Sequence, residues 1–230
     1  MKALIYKEFK LSMHPMCYVF MFAFPLMVLI PSFPLGIGSI YILSAYPILF
    51  LGANKGQQSN DLLYSTLLPV RKKDIVLARI ITVMVMQFAF LLLEAALTPL
   101  ANIIQGSIST SSQGAGPKNP GIGTDGIVSL IALSLLGYGI ADLIFFPIYY
   151  KKGRSIVMST LLMILGYVLY IGIFTIALPM IPGCEWYLKI MSGSGYGVQF
   201  IILGVVLALD ALIHFLVYKI SAKRLENVDF

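Results

Sequence analysis

The sequence predicts an all-α membrane protein with six transmembrane helices, an N-terminal interfacial helix, a short cytoplasmic helix between spans two and three, and both termini in the cytoplasm. Three observations carry that prediction. Of 230 residues, 59% are hydrophobic and only 11% charged, against about 25% charged in a soluble domain. Long apolar runs, each near the roughly 20 residues needed to cross a ~30 Å hydrocarbon layer, are separated by short polar breaks. Lys and Arg cluster in alternate connections between those runs, which puts them on one side of the membrane, as the positive-inside rule requires.

The opening Met1 to Pro15 is polar and basic, and no small-residue cleavage pattern follows it, so no cleavable signal peptide is expected. Met1, Ile5 and Phe9 recur at four-residue spacing, with lysines available for anionic head groups, which favours an interfacial helix over Met1–Met13. Glu8 and Lys2 intrude on its apolar side, so a frayed basic tail is the alternative. Met16 to Gly52 is too long for one crossing and is broken by Pro31-Ser32-Phe33-Pro34, which predicts a hairpin of span one, about Met16–Ile30, and span two, about Leu35–Gly52. Pro25 predicts a kink or a change of tilt in the first.

Span three is predicted at Ile75–Ala101, span four at Gly126–Tyr150, span five at Ile156–Ile181 and span six at Gly197–Ile220. With six crossings, every Lys and Arg except Lys118 and Lys189, of 16 in the chain, falls on one side. That side is the cytoplasm, and it receives both termini and the two basic loops. The chain is then one transmembrane domain over residues 1–230, with an interfacial segment at 1–15, a cytoplasmic loop at 53–74 and an outer loop at 102–125. The outer loop is rich in Gly, Ser and Pro and buries too little apolar surface to offset its ordering entropy, so it is expected to be flexible.

The net charge of +6 is accounted for by cations beside spans, which leaves nucleic acid out as a partner and membrane lipids in. Cys17 and Cys184 are expected on opposite sides of the membrane as free thiols. No phosphate-cradling Gly-rich loop ending in Lys-Ser/Thr is present, no paired metal-ligand cluster, and no dinucleotide fingerprint at Gly121-Ile122-Gly123 or at Gly193, Gly195 and Gly197. The only histidines are His14 and His214, so a nucleophile with a nearby base is lacking. No catalytic residue, metal or bound cofactor is expected on this chain.

Two groups of residues stand out. Glu94, Asp142, Asp210 and His214 lie inside predicted spans, where each costs a few kcal/mol to bury. Asp210 and His214, four apart, share one face of span six. Counted at ~1.5 Å per residue from Lys151 and Lys219, Asp142 and Asp210 both lie roughly 14 Å from the cytoplasmic edge. They either line a proton or cation path or sit neutral and hydrogen-bonded, holding helices together. The apparent lack of a basic partner within the bilayer favours the second role. The other group is the loop between spans two and three. Ser59, Asn60 or Asp61 caps a short helix over Leu62–Leu67, with Leu62, Leu63 and Leu67 as its apolar side, and Pro69 ends it. Arg71, Lys72 and Lys73 then anchor the chain at the head groups. The segment is either an ordinary interfacial loop or a helix presented to a cytoplasmic partner.

The run Asp61-Leu62-Leu63-Tyr64-Ser65-Thr66-Leu67-Leu68-Pro69-Val70-Arg71-Lys72-Lys73-Asp74-Ile75-Val76 resembles the cytoplasmic "Leu-Pro-Val-x-Arg … Ile-Val" segment of small ABC-2 type transporter permeases, except that Arg71 follows Val70 directly. Phe146-Pro147-Ile148-Tyr149-Tyr150-Lys151-Lys152-Gly153 is similar to that family's end of span four, and Met1-Lys2-Ala3-Leu4-Ile5-Tyr6-Lys7-Glu8-Phe9 to its N-terminus. The three matches come in order, and length and span count agree along the whole chain. The resemblance implies the permease subunit of an ABC exporter, paired with a second copy or a paralogue and driven by a separate cytoplasmic ATPase that binds ATP and Mg. It implies that the loop carries a coupling helix, with ATPase contacts at Asn60, Asp61, Leu62, Leu63, Tyr64, Leu67 and Leu68. It also implies an elbow helix at the N-terminus, a place in the bacterial plasma membrane as a multi-pass protein, and amphipathic or antimicrobial peptides as a substrate class. The other readings are an ion-coupled secondary transporter using Glu94, Asp142, Asp210 and His214, and a non-transporting scaffold or sensor subunit.

Overall fold

The computed structural model describes residues 2–13, 15–26, 70–111, 127–151, 156–182 and 196–227. Among them the chain is helical, with no strand. α1 (Lys2–Lys7) passes directly into a π-helical turn, Glu8–Ser12. α2 spans Met16–Leu26, α3 Lys72–Ser111 and α4 Ile127–Lys151. α5 (Ile156–Ile171) continues through a π-helical stretch, Gly172–Ala177, to a last turn at Leu178–Met180. α6 spans Tyr196–Glu226.

Four of these helices, α3 to α6, are long and apolar enough to cross a membrane, and α2 is a shorter apolar helix. Their placement agrees closely with predicted spans three to six. Two ends differ. α3 runs on to Ser111, so the first part of the 102–125 segment is helix rather than open loop. α6 continues past Ile220 to Glu226. Hydropathy marks where lipid ends, and a helix need not stop there, since Ser221-Ala222-Lys223-Arg224-Leu225-Glu226 is a good helical sequence. Span two and the Asn60–Leu68 segment lie outside the described residues.

α4 is the central helix. α6 packs along it most extensively, α5 covers another side, and α3 carries α6, α2 and α1. The core follows from that arrangement: Leu135, Tyr138, Ala141, Phe145 and Phe146 of α4 meet Val76, Ile80, Val83 and Phe90 of α3, Met163 and Tyr167 of α5, and Val217 of α6. Small residues on α4 set the distances. A Cβ on Gly137 would lie 2.9 Å from the rings of Tyr167 and Tyr170, so the missing side chain is what seats α5. From that seat the Tyr170 hydroxyl donates to the Leu133 carbonyl at 2.8 Å. The outer faces of α5 and α6 remain apolar and exposed, as at Leu161, Leu165 and Val168 and at Ile201, Val205, Leu212 and Phe215. A lipid-facing surface has this character, because hydrocarbon solvates such side chains as well as a core does.

The N-terminal segment differs in rotation from expectation. The buried stripe is Leu4 and Glu8, with Ile5 and Phe9 only half-buried beside it. The π turn closes with the Met13 amide donating to the Glu8 carbonyl at 3.0 Å. It also presents the Phe9 carbonyl to the Tyr18 hydroxyl at 2.6 Å, which fixes α1 against the start of α2. Cys17 is fully buried between Met13 and Met86.

Candidate functional site

The ends of the helices build the first constellation. Lys73, near the start of α3, pairs with Glu226 at the end of α6 at 3.2 Å. Arg224 donates to the Pro147 carbonyl near the end of α4, where a cation also complements the helix dipole. The starts of α3 and α5 and the ends of α4 and α6 therefore lie at one face of the bundle, and Arg71, Lys72, Lys73 and Lys151 lie there with them. The first two helical turns of α3 bring in Arg79, which is 4% exposed and passes under the N-terminal segment. Its Nε donates to Glu8 Oε2 at 3.0 Å and its Nη2 to Glu8 Oε1 at 3.3 Å, a two-point carboxylate contact. Nη1 lies 3.4 Å from the Tyr149 hydroxyl of α4, beyond a strong bond but close enough to fix the fork. Glu8 is thus not an intrusion on an amphipathic helix. It is one half of a buried ion pair joining the N-terminal segment to α3, with α4 at its side.

The second constellation lies deeper in the bundle. Asp142 of α4 is fully buried. Its Oδ2 lies 3.0 Å from His214 Nε2 of α6 and accepts from Gln87 Nε2 of α3 at 3.1 Å. The other ring nitrogen, Nδ1, lies 2.8 Å from the carbonyl oxygen of Asp210 and 3.3 Å from its Oδ1. One imidazole therefore bridges two aspartates, and three helices meet on it. Gly139 makes the approach possible: a Cβ there would stand 2.7 Å from Asp210 Oδ1, inside contact distance.

Of the four intramembrane ionisable residues singled out in the sequence, the structure brings three together, Asp142, Asp210 and His214. Glu94 is buried on α3, seven residues beyond Gln87, and lies outside this hydrogen-bonded set. The expectation that the buried acids lack a basic partner is corrected for Asp142 and Asp210, which both meet His214. Gln87, Glu8, Arg79 and Tyr149 are the site residues that sequence reasoning misses. A signal exists for two of them, since Arg79 and Gln87 are polar residues inside the predicted Ile75–Ala101 span. Among the described residues no group of three or more His, Cys, Asp or Glu is disposed to hold a metal ion. Both imidazole nitrogens already face oxygen atoms, which leaves no lone pair free for one. The residues expected to contact an ATPase, Asn60, Asp61, Leu62, Leu63, Tyr64, Leu67 and Leu68, fall outside the described residues, and Arg71, Lys72 and Lys73, expected to anchor the chain, lie at the start of α3.

No family model matches this sequence, and no curated protein and no solved structure matches it.

Proposed function

We propose that the chain is the membrane-spanning subunit of an ATP-binding cassette exporter, paired with a second copy or a paralogue and driven by a separate cytoplasmic ATPase in the bacterial plasma membrane. Three motifs in order along the sequence suggest it, and the observation that carries it is the buried Glu8–Arg79 pair. Arg79 lies eight residues, or ~12 Å of helix, beyond Arg71, where the proposed coupling loop ends. A push on Asn60–Leu68 that moves the start of α3 takes the N-terminal segment with it through Glu8, and α4 through Tyr149. Subunits that convert a soluble motor's stroke into motion of rigid helices need a tie of this kind. The free energy comes from outside the chain, since no differential binding here supplies it. Amphipathic peptides are the substrate class this reading favours.

The test is recovery of the tagged full chain from mild detergent, with and without Asn60–Leu68 replaced by a Gly/Ser linker. An ATPase subunit captured with the native loop and lost with the linker supports the reading, as does loss of ATPase stimulation on Leu63→Asp or Leu67→Asp. No nucleotide-binding partner in either sample, from a folded chain, sinks it. A second reading, ion-coupled transport, is favoured by the Asp142–His214–Asp210 cluster. It requires transport that persists without ATP and collapses on Asp210→Asn.

A further inference from the structure

We propose that the outward stripe of the N-terminal segment, Lys2, Tyr6 and Lys10, binds the phosphate of an anionic phospholipid in the cytoplasmic leaflet. The inference rests on the chain's place in a membrane and holds whether or not an ATPase drives it.

The other side of the segment defines the stripe. Leu4 and Glu8 are buried against the bundle, and the Glu8–Arg79 pair fixes the rotation of the helix. What lies opposite is turned outward: Lys2, Tyr6 and Lys10 recur every four residues and are all exposed, Tyr6 to 62%. At that spacing they stand one above the other along one face. Turning them inward would break a buried ion pair.

Depth follows from a change in the exposed surface. Beyond Lys10 the chain enters α2, whose exposed large side chains are Met16, Val19, Phe22 and Leu26. A cationic outer face gives way to an apolar one between Lys10 and Met16, as head groups give way to hydrocarbon. The same change occurs on α6, where exposed Phe215 and Leu216 are followed by exposed Lys219 and Lys223. Lys2 and Lys10 therefore stand at the level of the lipid phosphates, and their flexible stems let the ammonium groups adjust to it.

The chemistry suits a phosphodiester. Lys10 Nζ donates to the Tyr6 hydroxyl at 2.9 Å, which holds ammonium and phenol side by side. The phenol oxygen accepts that bond and keeps its own O–H to donate, and the ammonium keeps two of its three N–H groups. A phosphate oxygen in front of the pair receives from both, a charge-assisted contact at two points. Lys2, one turn toward the N-terminus, adds a second positive charge for the same head group. Nothing in the protein neutralises the stripe. Among the described residues, Glu8 and Glu226 are paired with Arg79 and Lys73, and neither Lys2 nor Lys10 has a carboxylate within ion-pair distance. A zwitterionic lipid brings its own cation to this surface, so the stripe selects lipids by net charge. The segment is then held from both sides, by Glu8 to α3 within and by lipid phosphate without.

The experiment is hydrogen–deuterium exchange of the purified full-length chain in two kinds of nanodisc, phosphatidylcholine alone and equal parts phosphatidylcholine and phosphatidylglycerol. It is read over peptides covering α1 and the π turn that follows. Phosphatidylglycerol should slow exchange there by about fivefold for each lysine engaged. Lys2→Gln/Lys10→Gln should abolish the difference, and Lys2→Arg/Lys10→Arg should keep it. Lys219→Gln/Lys223→Gln removes two exposed cations elsewhere and should leave it unchanged. All of these side chains are exposed, and equal exchange over α4 in every variant checks that the fold is intact. Equal exchange in the two lipids overturns the proposal, as does a difference that survives Lys2→Gln/Lys10→Gln or that Lys219→Gln/Lys223→Gln removes as well. Inorganic phosphate added to the phosphatidylcholine nanodiscs should not slow exchange; if it did so to the same extent, the stripe would be a site for a soluble anion and the lipid assignment would fall.

Discussion

Glu8→Ala is the most informative single substitution, because it leaves the Arg79 guanidinium buried with its counter-charge gone. The two side chains are 5% and 4% exposed, so water replaces little of what is lost. Removing one partner of such a pair costs about 3–5 kcal/mol, whereas replacing both with apolar residues of similar volume is close to neutral or stabilising. Glu8→Ala should therefore lower the midpoint of thermal unfolding by about 6–20 °C, taking ~2–4 °C per kcal/mol for a chain of this size. The double variant Glu8→Leu/Arg79→Met should recover most of that loss. Tyr149→Phe, which removes only the 3.4 Å contact, should cost ~1 kcal/mol or less. Thermal unfolding in detergent, followed by tertiary circular dichroism, measures all four proteins. If Glu8→Ala and the double variant are equally destabilised, the cost is loss of packing rather than an uncompensated charge, and the reasoning fails. If Glu8→Ala is indistinguishable from the parent, the N-terminal segment is not tied to α3.

Gly139→Ala should destabilise the bundle by ~1–3 kcal/mol, since its methyl would meet Asp210 Oδ1 at 2.7 Å; a thermal midpoint equal to the parent's would mean that α4 and α6 are less closely packed here. Lys73→Ala should cost less than ~1 kcal/mol, because the pair with Glu226 is half-exposed, and the difference should vanish in high salt. In a Cys184→Ser background, Cys17 should resist an aqueous maleimide until denaturant is added, since it is fully buried; rapid labelling of the folded chain would contradict the packing of α2 on α3.

The spans are largely legible from hydropathy: Ile156 opens α5 where expected, and Gly126 and Gly197 miss the observed helix starts by a single residue. The depth of two acids is legible by counting residues from the nearest cations, which puts Asp142 and Asp210 at one level, as a shared contact with His214 requires. Partners are harder to read. Glu8 and Arg79 are 71 residues apart, and no local periodicity links them. Arg79 also resembles a flanking cation until its burial is seen. The π-helical stretches at Glu8–Ser12 and Gly172–Ala177 are equally hidden, because a π-helical turn has no hydropathy signature of its own. The rotation of α1 escapes for a related reason: pattern alone favours Ile5 and Phe9 inward, but the ion pair turns Leu4 and Glu8 to the core.

Both interior pairs are long in sequence, and that imposes an order on biogenesis. Asp142 precedes His214 by 72 residues, so α4 is made well before the ring that completes its hydrogen bonding. At ~5–20 residues per second the ribosome takes roughly 4–14 s to supply it. During that interval the nascent helix carries a carboxyl with no imidazole beside it, and Glu8 has waited in the same way for Arg79. The half-made protein therefore carries each carboxyl without its partner until the later helix is made. Late synthesis of α6 is what locks the last of them in place, and a nascent chain stopped short of His214 should be a substrate for membrane quality control.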